Sequence, residues 1–478
     1  MIKKLLNQIS DHPLSVLIIS SLLFLSLGFW QDGINLDSAT YSVIARNMAN
    51  SGDWFSPTYT EYYLYKFADH PPLVFWLQGI VFKMLGATDT TARLVGAFFT
   101  SGSVIMVYFI GKKLIDQKFG VISGLILLLT YNFMQIGNST LLDVPMTFFV
   151  LLALYAIISF QKDKLNLRNT IICSSGLSGA FLAKGIVSAP IWGTLFLAAL
   201  FFNRNWLKNK FFWFAPAVAI FVVSCYLLLD FNFNNGRFVN YYFPNLINRS
   251  NMGSVLGLHT EWFEFPLRFV TLYLPFVLLL PIGIFEVVKN KKKIFAPVIV
   301  IFIAYLLFYM MAPKILYHYF VPLYAISSLI ASIYLHSKFS ERHIRTAIPI
   351  FLIFFIALAG AAGLSGMPIH HIRSPELYEF NNKMNNFLFS KDSKDGLLIG
   401  DGVPNWEHVA KTAWYWHSNV LQVASVEIAR DSLRSRKFAY ILVNKLQKLN
   451  KETLELLGLS EIEKNELISI YTLDTPGK

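Results

Sequence analysis

The sequence predicts a polytopic α-helical membrane protein of about eleven spans with a small soluble α/β domain at its C-terminal end. Three observations predict it. Of 478 residues, 55% are hydrophobic and 15% charged, where a soluble domain carries about 25% charged; the mean hydropathy is +0.49. Uncharged runs long enough to cross a bilayer recur along most of the chain. After about residue 370 the character changes to charged sequence with short apolar strands.

The apolar runs fall near 13–31, 94–111, 119–142, 144–161, 185–203, 211–229, 269–285, 294–313, 315–337 and 346–369. A shorter run at 169–183, interrupted by glycines, keeps the topology consistent. The first run has full membrane length and no small-residue cleavage site, so it reads as a retained span rather than a leader. Cys173 and Cys225 both lie in apolar runs and read as packing residues, with no disulfide framework.

Orientation follows from the short loops. With the N-terminus inside, the segments 1–12, 112–118, 162–168, 204–210, 286–293 and 338–345 are inside and hold eighteen lysines and arginines, while the short outside connections hold only Lys184 and Lys314. That asymmetry puts the N-terminus in the cytoplasm. It also accounts for the net charge of +12 without nucleic acid. Everything after about 370 is then outside, so the chain divides into a membrane domain, 1–370, and an outer α/β domain, 371–478. In the latter "GLLIG" and "FAYILV" read as strands and "KETLELLGL" as a helix. No internal repeat or low-complexity tract is visible.

Two outer loops are long, 32–93 and 230–268. The first opens on "LDSATYSVIARNMANSGDW". Tyr41, Ile44, Ala45 and Met48 recur at helical spacing and Ser51-Gly52 stops the pattern, so an amphipathic helix follows Asp37 where the chain leaves the bilayer. "YYLYKFADHPPLVFW" continues it. Tyr62, Tyr63, Tyr65, Phe67, Phe75 and Trp76 suit the headgroup level, and Lys66 and His70 suit a phosphate. Pro71-Pro72 precedes a second interfacial helix, 73–85, ending at Gly86.

Asp37 lies at the outer mouth of the first span and Asp143, in "NSTLLDVPMTFF", at that of the fourth. Either alone reads as a solvated or helix-capping acid. Two on one face point to a polar cavity, where a carboxylate can act as general base, position an acceptor or bind a metal. Lys184, between two apolar runs, is costly unless it snorkels or is paired. Lys314, Tyr317, His318 and Tyr319 in "APKILYHYFVP" start another span on the same face. Arg249 and Arg268 add positive charge to the second loop. Acids, cations and aromatics together suit an anionic phosphate joined to a greasy chain and a sugar. Asp69-His70 lacks partners at metal-ligand spacing.

The segments "LDSATYSVIARNMANSGDWFSP", "HPPLVFW", "TDTTARLVGAFF", "LLDVPMTFF", "FLAKG" and "KILYHYFVPLY" follow one another in the order of the bacterial lipid A aminoarabinose transferases and the protein O-mannosyltransferases. The sequence resembles this GT-C class of membrane glycosyltransferases over roughly residues 10–335. The resemblance implies a sugar donor on a polyprenyl phosphate, an acceptor on the outer (periplasmic) face of the bacterial inner membrane, and inversion at the sugar carbon. By motif, Asp37 looks like the catalytic acid, Tyr41 the tyrosine one turn later, and Asp143 the second acid. Lys184 matches the lysine near the donor phosphate. Lys314 and Tyr319 match the pair before the proline, here Pro322, and Arg249 falls near the arginine of the second loop. The departures are His70 where the aminoarabinose transferases have lysine (Lys66 stands four residues earlier), Ser38 where the mannosyltransferases commonly have an acid, and Asn245 or Asn248 where a histidine often precedes the loop arginine. These bear on acceptor and sugar more than on reaction class.

Read this way, Asp37 and Asp143 are the catalytic candidates. Lys66, His70, Lys184, Arg249, Lys314 and Tyr319 bind the donor phosphate. Tyr41, Tyr65 and His318 contact substrate. The implied partners are the polyprenyl-phosphate sugar, membrane lipid and an acceptor that is a lipid, a glycan or a protein. No cofactor is required, and a divalent ion at Asp37 and Asp143 is an open alternative. A flippase for a lipid-linked sugar uses the same cavity without chemistry but predicts paired discontinuous helices in two related halves. A non-catalytic scaffold leaves the charged cluster on one membrane face unexplained.

Overall fold

The computed structural model describes the chain apart from residues 1–10, 31–32, 61, 63–66, 164, 202, 243, 245–262, 291, 312–315, 366–376, 378, 392, 401–405, 436, 445–450, 466–467 and 474–478. It divides into two compact units, one of residues Met1–Gln31 and Ala68–His370, the other of Asp32–Phe67 and His371–Lys478. The second unit therefore takes in most of the first loop as well as the tail, where the sequence analysis draws the boundary at about 370 alone.

The first unit is helical. Among the described residues, seven helices are long and apolar enough to cross a membrane, or nine if each of two bent pairs, Gln117–Leu129 with Tyr131–Gly137 and Glu264–Leu272 with Phe276–Lys289, is one span. A shorter apolar helix, Pro13–Ser26, precedes them. The longest stretch, Leu167–Phe201, reverses at the 3-10 turn Gly185–Ser188. Lys184 meets Asp143 at one end of the helix Asp143–Lys162, and Trp206 packs edge-on against Phe160 at the other end. The chain therefore runs along that helix and back. Large apolar side chains such as Phe214, Phe221, Leu228, Phe285, Leu307 and Ile353 are exposed on the outer helices, as lipid-facing residues are. This is a multi-pass membrane protein.

The central helices of this unit approach closely through small residues, as is usual where lipid supplies no hydrophobic drive between helices. A Cβ on Gly176 would stand 2.5 Å from the backbone nitrogen of Ala153, and one on Gly96 2.0 Å from the Ser139 carbonyl oxygen. The second contact seats the loop that starts the helix Asp143–Lys162, and so fixes where Asp143 lies. Arg93, almost fully buried, donates from Nη1 to the Gly28 carbonyl at 2.6 Å.

The second unit is built on a five-stranded sheet in the order β2-β1-β3-β5-β4. Its strands are β1 (Gly396–Ile399), β2 (Val420–Val423), β3 (Tyr440–Asn444), β4 (Leu459–Lys464) and β5 (Ile468–Leu473). β1 runs parallel to β2 and β3, and β5 antiparallel to β3 and β4. Leu397, Ile399, Ile441, Val443 and Tyr471 form the sheet's core with Ala429 and Leu433 of the helix Val426–Arg434. The first-loop helix, Leu36–Ser51, packs on the helix Trp406–Tyr415 of the same unit.

Candidate functional site

In the membrane unit, Asp143 is the first residue of its helix and 1% exposed. A carboxylate so buried needs a partner. Lys184 Nζ supplies it, 2.5 Å from Oδ1, and is itself 5% exposed. His318 Nε2 stands 3.8 Å from Oδ2. Lys184 also lies 5.2 Å from the centre of the Tyr319 ring, which attracts a cation through its negative face. Tyr319 stacks on Tyr309 at 5.0 Å, and Tyr309 on Tyr305 at 5.8 Å. The hydroxyls of Tyr305 and Tyr309 are buried with no hydrogen-bond partner among the described residues. The structure thus gathers the buried Asp143, Lys184 and His318 with the half-buried Tyr319 into one polar cluster walled by aromatic rings.

The turn after Lys184 is held by residues the sequence analysis missed. Gly185 has φ +71°, and Ile186 donates its backbone N–H to the Tyr242 hydroxyl at 2.8 Å. A Cβ on Gly185 would fall 2.2 Å from that oxygen. Tyr242 stacks on Phe238 at 4.6 Å, and the Phe238 N–H donates to Asp230 Oδ2 at 3.0 Å. The signal available in the sequence was an acid, Asp230, directly at the end of the apolar run 211–229.

Asp37 belongs to the other unit. It sits in the first turn of Leu36–Ser51 and is half-buried, with no ion-pair or hydrogen-bond partner among the described residues. The capping duty expected of such an acid is taken by Asn35, whose Oδ1 accepts from Ser38 N at 2.9 Å. Gly52 ends the helix at φ +74° with its N–H on the Met48 carbonyl. Tyr41, one turn after Asp37, meets Phe67 edge-on at 6.3 Å. Arg46, 8% exposed, donates to the Trp414 and Ala413 carbonyls at 3.1 and 2.7 Å. Burial pushes its guanidinium down to about 10, which leaves it charged at neutral pH.

His70 is half-buried in the membrane unit, just before the helix Leu73–Leu85. Tyr65, Lys66, Arg249 and Lys314 lie outside the described residues. Among the described residues no three His, Cys, Asp or Glu side chains gather as a metal site.

The profile of the Dolichyl-phosphate-mannose-protein mannosyltransferase family matches residues 69–228. A protein of Aquifex aeolicus is 23% identical over 324 residues, 67% of this chain and 72% of that one. An undecaprenyl phosphate-alpha-4-amino-4-deoxy-L-arabinose arabinosyl transferase of Pectobacterium carotovorum is 24% identical over 161 residues, 32% of this chain and 28% of its own. The crystal structure of ArnT from Cupriavidus metallidurans bound to undecaprenyl phosphate superposes with a TM-score of 0.71 at 13% identity, covering 97% of this chain and 98% of that one. The chain has the fold of these structures, and its sequence is similar to the mannosyltransferase family over residues 69–228. The oligosaccharyltransferase AglB from Archaeoglobus fulgidus, solved with an inhibitory peptide and a dolichol-phosphate, shares the GT-C fold at a TM-score of 0.54 and 13% identity over 90% of this chain and 69% of its own.

Proposed function

We propose that this GT-C protein transfers a sugar from a polyprenyl phosphate to an acceptor on the outer face of the bacterial inner membrane, with inversion. The observation that carries the reading is the extent of the likeness to a chain solved with undecaprenyl phosphate, which spans nearly the whole of both chains. The order of motifs from Asp37 to Tyr319 supports it independently. The N-terminus is cytoplasmic, from the lysine and arginine count, and the sheet unit, which includes Asp37, faces the periplasm.

In this reading Asp37 takes the proton of the acceptor hydroxyl. The acceptor oxygen attacks the anomeric carbon from the side opposite the phosphate. The bond from that carbon to the phosphate oxygen breaks, and its electron pair leaves on the polyprenyl phosphate. General-base catalysis of this kind contributes typically 10²- to 10⁴-fold. Lys184 stabilises charge on the leaving phosphate, with Tyr319 beside it; Lys66, His70, Arg249 and Lys314 share that role by motif. Tyr41, Tyr65 and His318 contact the substrate. Asp143 pairs Lys184 and holds its direction, since an unpaired ammonium at that depth would be expensive. The prenyl chain lies against apolar helices, at about 0.8 kcal/mol per buried methylene.

The test is release of free polyprenyl phosphate from a panel of polyprenyl-phosphate sugars by the purified protein, with an envelope extract as acceptor. Sugar-dependent release that is lost in Asp37→Asn is the expected result. Lipid binding without release from any donor, extract present, would favour a flippase. Near-normal release by Asp37→Asn would remove Asp37 as the base.

A further inference from the structure

The sheet unit contains a cavity of about 410 Å³ that none of the proposed roles uses. Its size falls in the range of small-ligand sites. It lies along the later turns of the helix that carries Asp37, between Asn47, Asn50, Thr58, His417 and Asn419. At 1.5 Å per residue, Asn50 is about 20 Å along the helix from Asp37.

The lining is neutral and rich in donors and acceptors. Among the described residues it contains no carboxylate and no lysine, and the one permanent charge among them, Arg46, is already held by two helix-end carbonyls. Asn47 donates its amide N–H groups to the Thr58 and Tyr59 carbonyls at 3.0 and 3.2 Å, while its Oδ1 has no partner among the described residues. Asn50 is exposed at the rim with both ends of its amide unpartnered among them. A phosphate or acidic peptide would find no free cation among the described lining residues, and a hydrocarbon would leave amides unpaired. A polyhydroxylated neutral ligand matches amides that both donate and accept.

The backbone adds a second observation. His417 has φ +50°, just beyond the helix Trp406–Tyr415, where glycine is the usual residue. A side chain in this left-handed region costs about 1–2 kcal/mol, and strain of this sort clusters at ligand sites. The turn that glycine would make without cost here sets an imidazole at the cavity's edge.

We infer that this cavity binds a neutral saccharide of the acceptor, so that the acceptor is an extended glycan rather than a compact peptide hydroxyl. The inference rests on the transferase reading for the word acceptor, but the binding itself does not. A glycan whose reactive hydroxyl reaches Asp37 is gripped some 20 Å away by residues that take no part in the chemistry. Chain length, rather than the reacting sugar alone, then sets affinity.

The full-length protein in nanodiscs would be tested by saturation-transfer NMR with maltotetraose, a second neutral tetrasaccharide of N-acetylglucosamine, and a serine-containing hexapeptide. Wild type is expected to saturate at least one tetrasaccharide and not the peptide. Asn50→Trp and His417→Trp, which fill the cavity, should reduce that transfer at least fivefold, and Asn50→Ala about threefold. All three should bind polyprenyl phosphate within twofold of wild type and keep the wild-type melting temperature. Saturation of neither tetrasaccharide by wild type, equal saturation by the filled variants, or saturation of the peptide alone would overturn the inference. Absence of release from every donor by wild type would overturn the transferase reading while leaving the saccharide result to stand by itself.

Discussion

Asp37 and Asp143 each open a helix, yet they are opposite cases. Asp143 is buried and tied to Lys184, with His318 nearby. Asp37 is half-exposed, relieved of capping by Asn35, and without an ionic partner among the described residues. Depth decides the difference. A carboxylate out of water must be paired, and a paired carboxylate holds something else in place. One at the water boundary needs no partner, and so can take a proton from a substrate. Motif position alone had made both acids catalytic candidates; burial and pairing set them apart.

The largest effect should come from Asp37→Asn, which is expected to lower sugar transfer by about 10²- to 10⁴-fold with no change in melting temperature. A melt that falls with activity would erase the contrast. Asp143→Asn should instead act on stability, by about 3–5 kcal/mol, because it leaves the Lys184 ammonium buried and unpaired. Thermal melting in detergent would show it, and Asp143→Asn with Lys184→Met should recover most of the loss. If the double variant were no more stable than the single, the pair would not be the reason for Asp143.

A pH effect of about 3 kcal/mol or less sharpens the comparison within the sheet unit. Burial pushes the His408 imidazole down to about 4, against about 6.5 unfolded. Between those values the unfolded chain binds a proton that the folded one does not. Stability is therefore full above about pH 6.5 and falls as the pH drops toward 4. The melting temperature should fall over that window in wild type and less steeply in His408→Phe. The smallest effect belongs to Tyr242→Phe. It removes the acceptor for the Ile186 N–H, about 1 kcal/mol, and is expected to weaken donor binding about fivefold in a titration with polyprenyl phosphate, leaving Asp37-dependent chemistry intact.

Much of this was legible in the sequence because bilayers impose simple rules. The apolar runs, the basic loops and the helix between Asp37 and Gly52 follow from length, charge and period. Strands β1 and β3 were visible as "GLLIG" and "FAYILV" because a buried strand is a short continuous apolar run. β4, "LSEIEK", was not, since an edge strand exposed on one side reads as a charged loop. Nor was β2, "VLQV", whose apolar run a glutamine interrupts and which is half-buried after its first residue. Asp143 and Lys184 stood out singly, but their pairing depends on two helices lying side by side, which no local pattern encodes. Tyr242 hid among many tyrosines. The grouping of residues 32–67 with the tail was equally hidden, because more than 300 residues of sequence separate them.

Within that grouping, the Arg46 guanidinium closes the end of the helix Trp406–Tyr415 while its own helix bears Asp37. The C-terminal residues are for this reason not a detachable accessory. Truncating the chain near 370 would strip the Asp37 helix of its packing partner and leave a buried arginine facing nothing. Replacing the tail by engineering must therefore bring along a matching first loop, so the two segments act as one part of the fold split by residues 68–370.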